Sequence, residues 1–139
     1  MIRAVIDPGV LIAAVLSAEG APAELLRLWL DGVFEIVVSE KLLSELRGVL
    51  ARPKFRTYLS LSEAERYVSL LERWAERSAD AAVVAPHTPD PKDDYLVELA
   101  ISAKAAFIVS GDRHLTNLPD PKVPVLTPRR AVDLLSRLG

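Results

Sequence analysis

The sequence predicts an α/β domain built on a five-stranded parallel sheet with helices on both faces. Three observations lead there. Short apolar, β-branched runs alternate with longer segments whose apolar residues recur at helical spacing. No hairpin signal such as Asn-Gly joins two of the runs, so neighbouring strands require crossovers. The chain has 139 residues, half of them hydrophobic, which suits one domain with one sizeable core.

Residues 2–6 read as the first, buried strand, and Val10 to Ser17 as a helix that breaks at Ala18-Glu19-Gly20. Pro22 suits a first helical position, and the helix Ala23 to Leu30 ends at Asp31-Gly32. Val33 to Val38 is the second strand. Ser39 is placed to cap the helix Glu40 to Leu50, which Arg52-Pro53 stops. Ser62 and Glu65 have capping-box spacing at the start of a helix running to about Ser78. Ala82-Val83-Val84 is read as a short third strand, and the proline-rich segment Pro86 to Lys92 as a loop. Asp93 can cap the helix Tyr95 to Lys104. Phe107 to Val109 is the fourth strand. Val123 to Leu126 is the fifth, placed at an edge by Pro124. Thr127-Pro128 opens the last helix, Arg129 to Leu138.

Composition narrows the chemistry. There is no cysteine, which excludes disulfides, thiolate catalysis and cysteine-ligated zinc. The two histidines, His87 and His114, are far apart and form no metal-spaced pair. A net charge of -2 leaves no electrostatic footprint for tight nonspecific nucleic-acid binding. No apolar stretch approaches the roughly 18 residues of a membrane span. The first residues carry no basic and apolar leader, so a cytoplasmic location is expected.

The acidic residues are the most informative. Asp7 ends the first strand and Asp112 the fourth, in Ser110-Gly111-Asp112. In open parallel sheets, ligands bind outside such carboxyl ends. Asp94 lies in the cluster Asp90-Pro91-Lys92-Asp93-Asp94 at a helix start. Glu45 falls beside the apolar arc of Leu42, Leu43, Leu46, Val49 and Leu50. Each acid has an ordinary explanation as a helix cap, a boundary residue or a surface turn. Gathered at one sheet edge they repel one another, and a hard divalent cation with oxygen ligands is the usual solution.

These residues carry a resemblance that covers nearly the whole chain. Asp7-Pro8-Gly9-Val10-Leu11 resembles the opening motif of PIN-domain proteins. Ser39 to Leu46, followed by Leu50 to Phe55, resembles the second motif, Asp90 to Leu96 with Leu99-Ala100 the third, and Ala106 to Leu115 the fourth. The ending Val125-Leu126-Thr127-Pro128 also fits. The resemblance implies a three-layer α/β/α fold and a Mg²⁺- or Mn²⁺-dependent ribonuclease. It implies Asp7, Glu45, Asp94 and Asp112 as metal ligands, with Asp93 as the alternative to Asp94. Ser110 stands where the family has a Thr or Ser near the metal. Gly9 departs from the family's Asn.

RNA phosphates require cations. Arg113 and His114 after Asp112, and Arg52, Lys54 and Arg56 after the Glu45 helix, are the candidates. The resemblance further implies an antitoxin protein as a partner and a homodimer formed through Leu-rich helices. Other strand-end aspartate enzymes fit less well. An aspartyl phosphatase wants a second Asp where Gly9 stands, and a dinucleotide site wants a Gly-rich turn that is absent. The competing class is a PIN-fold RNA- or partner-binding module without catalysis, motivated by Gly9.

Overall fold

The computed structural model describes all 139 residues. The first apolar run forms β1, Arg3–Ile6, which lies at the centre of the sheet. It pairs in parallel with β2, Glu35–Val38, on one side and with β4, Phe107–Val109, on the other. Two-residue strands close the edges: β3, Glu76–Arg77, beside β2, and β5, Val125–Leu126, beside β4. The order is β3-β2-β1-β4-β5, five strands and all parallel. Ala4 to Ile6, Ile36 to Val38 and Phe107 to Val109 are buried on both faces, which explains their apolar runs, while the first residues of β1 and β2, Arg3 and Glu35, are partly exposed and pair with one another.

Between the strands lie α1 (Pro8–Leu16), α2 (Ala21–Leu30), α3 (Glu40–Leu50), α4 (Leu61–Trp74), α5 (Asp94–Ser102) and α6 (Arg113–Thr116), and α7 (Pro128–Ser136) follows β5. Single 3₁₀ turns cover Pro53–Phe55 and Pro91–Asp93. Helices α1 to α4 serve the crossovers that step from β1 to β3. The β3-to-β4 crossover, which contains α5, steps back across β1 in the opposite direction. Because such crossovers are right-handed, the reversal puts helices on both faces and gives the three layers. The core joins them: Leu42, Leu43, Leu46, Leu50, Val68 and Leu71 from one face, and Leu96, Leu99 and Ala100 from α5, meet the strand residues in one cluster.

Three local expectations are corrected. The third strand is Glu76–Arg77, not Ala82-Val83-Val84, whose residues are irregular and exposed, Val83 at 84 %. Both residues of β3 are charged and exposed, so hydrophobic patterning cannot find them; charge on an edge strand also guards it against further pairing. Helix α4 stops at Trp74, before Ser78, because Ala75 is already extended (ψ 157°) and leads directly into β3. Its capping box is Ser60 with Glu63, not Ser62 with Glu65. The Glu63 N–H donates to Ser60 Oγ and the Ser60 N–H to Glu63 Oε1, each at 3.0 Å. Both pairs satisfy the same Ser-x-x-Glu pattern, so spacing alone does not choose between them.

Losing a serine cap typically costs about 1 kcal/mol. Ser60→Ala is therefore expected to lower stability in urea unfolding by about 1 kcal/mol, and Ser62→Ala to change it by less than about 0.5 kcal/mol. The reverse ranking would restore the Ser62 cap.

Candidate functional site

Strands β1 and β4 end level with one another, Ile6 opposite Val109. The residues that follow, Asp7 and the segment Ser110-Gly111-Asp112, therefore leave the sheet side by side, and the Asp7 N–H donates to the Val109 carbonyl at 2.9 Å. This is also where the connections reverse direction, the point at which an open parallel sheet leaves a crevice beyond its carboxyl ends.

Asp7 does two jobs at once. Its Oδ1 accepts from the Gly9 N–H at 3.0 Å and so caps α1, and its Oδ2 accepts from Ser110 Oγ at 2.8 Å. Ser110 is fully buried, and its Oγ also accepts from the Asp112 N–H at 3.0 Å. It is a bracket between the two strand-end acids. Its hydroxyl is occupied and shielded from solvent. Asp112 Oδ1 accepts from the His114 N–H at 2.8 Å and caps α6, a short helix the sequence reading did not foresee. Each of these carboxylates keeps lone pairs free, since an ionised carboxylate offers about four acceptor sites.

The adjacent acids Asp93 and Asp94 have different surroundings. Asp94 is only 6 % exposed, and its Oδ1 accepts from the backbone N–H groups of His87 at 3.0 Å and Thr88 at 2.8 Å. Burial alone would raise its carboxyl, but these hydrogen bonds from His87 and Thr88 outweigh it and hold the group below the usual carboxylate range. Asp94 thus anchors the loop before α5. Asp93 is half-buried and its carboxylate accepts no hydrogen bond from the protein. Burial pushes its carboxyl up, and the carboxylates of Asp7, Asp90, Asp112 and Glu45 push it further, to about 6. It is Asp93, rather than Asp94, that feels the strand-end acids and Glu45.

Glu45 reaches the same group from α3. Partial burial raises its carboxyl, and the charge of Asp7 adds to this. The Tyr95 hydroxyl, 3.3 Å from Oε1, and the Lys41 charge oppose the rise without cancelling it. None of Asp7, Glu45, Asp93 or Asp112 forms an ion pair with a Lys, Arg or His. The donors are all carboxylate oxygens, the chemistry of a hard divalent cation. As the side chains stand, no three Asp, Glu or His groups are close enough to hold an ion together. A cleft of about 290 Å³ opens beside the two strand-end acids, lined by Asp7, Gly9, Gly111, Asp112 and Pro128 among others but not by Glu45 or Asp93.

The cationic candidates separate. Arg113 and His114 are exposed on α6, directly after Asp112. Arg52 and Lys54 lie past the far end of α3, which starts at the carboxyl end of β2 and runs away from it. The fold does not bring them to the acids, and Lys54 instead sits 5.1 Å from the Phe55 ring centroid. Arg56 turns inward to the Leu50 carbonyl and closes the end of α3. His87 is tied through Nε2 to Glu98 Oε1 at 2.8 Å, on the other side of Asp94. Sequence reasoning missed Tyr95 and Lys41. Tyr95 meets Glu45 across fifty residues of chain, and no local pattern announces that contact.

A central parallel sheet in three layers, with acids gathered beyond the β1 and β4 ends, defines the class of nuclease-like α/β domains to which PIN domains belong. The family model described as PIN domain matches residues 3–114, and this chain is a member of that family. It is 28 % identical over 124 residues to the uncharacterized protein MJ1680 of Methanocaldococcus jannaschii, covering 86 % of this chain and 76 % of that protein. Two crystal structures share the fold at 14 % identity. One is PAE2754 from Pyrobaculum aerophilum, with a TM-score of 0.65 over 98 % of this chain and 90 % of that one. The other is VapBC2 from Rickettsia felis bound to a DNA fragment from their promoter, with a TM-score of 0.62 over 91 % of this chain and 98 % of that one.

Two substitutions separate the neighbouring acids. Asp94→Ala orphans two backbone donors and should cost about 2 kcal/mol in urea unfolding. Asp93→Asn should do the opposite in metal-free protein. The folded carboxyl of Asp93 holds its proton up to about pH 6, against an ordinary value of 3.8, so its stabilising contribution is complete below 3.8 and lost as pH rises through 6. Asn mimics the protonated form. The variant should therefore be more stable than wild type at pH 7.5, by no more than about 1 kcal/mol because solvent screens a half-exposed carboxylate. The gain should shrink as the pH is lowered toward 4. A gain that is flat with pH would contradict the assignment.

Proposed function

We propose that this PIN-domain protein is a divalent-metal-dependent endoribonuclease. PIN domains are generally nucleases that use divalent metals, which supports the class. The observation that carries the reading in this chain is the gathering of acids around Asp93. Burial raises its carboxyl, the charges of Asp7, Asp90, Asp112 and Glu45 raise it further, and no cationic side chain is paired with Asp7, Glu45, Asp93 or Asp112. Such an arrangement is unfavourable unless a cation is added.

Asp7, Glu45, Asp93 and Asp112 are the proposed ligands of Mg²⁺ or Mn²⁺, with Asp93 preferred to Asp94. Asp94 has its bonds to the His87–Thr88 backbone to keep, whereas no hydrogen bond restrains the Asp93 carboxylate. An ion in this setting supplies acidification of a bound water and neutralisation of phosphate charge. Ser110 holds Asp7 and the Asp112 backbone in place for it. Arg113 and His114 are the cations we assign to the RNA phosphates, and Lys41, exposed near Glu45, is added to them. Asp94, Arg52 and Lys54 are left with structural or surface roles.

A protein partner is part of the same proposal. The likeness to VapBC2 supports a toxin–antitoxin reading, in which a second protein would cover the site. An apolar hollow of about 370 Å³, lined by Met1, Trp29, Leu30, Phe34, Leu70 and Trp74 among others, supports a partner or a second copy of the chain on that face. One observation favours the non-catalytic alternative, the absence of a side chain at Gly9. A Cβ there would meet only Asp7 Oδ1 at 3.6 Å, an ordinary contact, so Gly9→Asn should fold unchanged.

The purified protein should cleave labelled single-stranded RNA in Mn²⁺ or Mg²⁺ and lose the activity in EDTA. Asp93→Asn should reduce the rate by at least about a hundredfold, within the range of lost electrostatic stabilisation at such sites. The proposal is wrong if folded wild type neither cleaves RNA nor binds Mn²⁺.

A further inference from the structure

We infer that Tyr95 is a positioning residue for Glu45, fixing the one acid of the site that projects from the middle of a helix. The inference rests on the metal-site reading above. Asp7 and Asp112 are held by their own backbone turns and by Ser110, while Asp93, whose carboxylate accepts no hydrogen bond, is placed by a short side chain on the backbone at the start of α5. Glu45 has no such support. It lies in the middle of α3, exposed, on a side chain with three rotatable bonds and considerable rotamer freedom to lose.

Tyr95 supplies the missing restraint. It is 4 % exposed and lies on the first turn of α5, two residues after Asp93. Its hydroxyl donates to Glu45 Oε1 at 3.3 Å. Because the ring is buried, the phenol is a fixed point, and it belongs to the same helical turn as Asp93. One side chain thereby ties Glu45 on α3 to the start of α5, where Asp93 stands. Glu45 Oε2 accepts no hydrogen bond from the protein and is left for a ligand. The ring has its own restraint: Lys41 Nζ lies 4.6 Å from its centroid, and the Lys41 N–H donates to Asp80 Oδ2 at 2.9 Å, which ties the start of α3 to the segment after β3.

A buried tyrosine also needs a hydrogen-bond partner for its own sake, so the test must separate serving Glu45 from being served by it. Mn²⁺ affinity, measured by calorimetry, does so in a double-mutant cycle of Y95F and E45A. Y95F removes only the hydroxyl and keeps the ring under Lys41. It should weaken Mn²⁺ binding about fivefold in wild type and not at all in the E45A background. E45D keeps the charge but withdraws the carboxylate by one methylene from the phenol. It should lose a similar factor, and it answers the question should Y95F fail to fold. The inference is overturned if Y95F binds Mn²⁺ as tightly as wild type, if it loses the same factor in both backgrounds, or if E45A binds like wild type. In those cases the site of three aspartates still stands. Absence of Mn²⁺ binding by wild type would take down the metal site and this inference together.

Discussion

The gathering of Asp7, Glu45, Asp93 and Asp112 at one sheet edge, with no ion pair to any of them, is the constraint around which this site is arranged. The fold tolerates it by giving most of them local hydrogen-bond donors. Asp7 caps α1 and takes the Ser110 hydroxyl, Asp112 caps α6, and Glu45 takes the Tyr95 phenol. Asp93 receives none, and it is the carboxyl pushed to about 6. Helix N-termini favour negative charge, and a sheet whose strands run in parallel delivers those N-termini to one edge. The same geometry that makes the acids affordable brings them close enough to repel.

Sheet order decides which acids meet. With β1 between β2 and β4, the Asp7 turn has the Ser110–Asp112 turn as its neighbour on one side and the start of α3 on the other. The crossover that contains α5 returns over β1 and sets its first turn above the same edge. Four segments far apart in sequence thus contribute one acid each. Asp94, next in sequence to Asp93, serves a different purpose by clamping the loop at His87 and Thr88. On the proposed function, stability and chemistry are divided between two adjacent residues of the same type.

Much of this is legible in the sequence, and the exceptions have physical reasons. The three central strands announce themselves because burial on both faces demands apolar residues at all positions but the first of β1 and β2. Ser39 and Thr127 announce their caps because each precedes a clear helical pattern. The edge strand Glu76–Arg77 does not, because pairing of two exposed charged residues with Val37 and Val38 leaves no hydrophobic trace. Asp7, Glu45 and Asp112 can be picked out as candidates by their places at strand ends and on a helix boundary. The choice between Asp93 and Asp94 cannot, since it depends on which carboxylate the His87–Thr88 backbone turns toward. Likewise the partnership of Tyr95 with Glu45 exists only once α3 and α5 are packed.

The central question is whether these acids converge on one ion. Crystals grown with Mn²⁺ and measured near the manganese absorption edge would show it directly. An anomalous peak contacted by Asp93 together with Asp7 and Asp112, with Asp94 still bonded to His87 and Thr88, is the predicted result. A peak held by Asp94 instead, or fully ordered acids with no peak at saturating Mn²⁺, would contradict it.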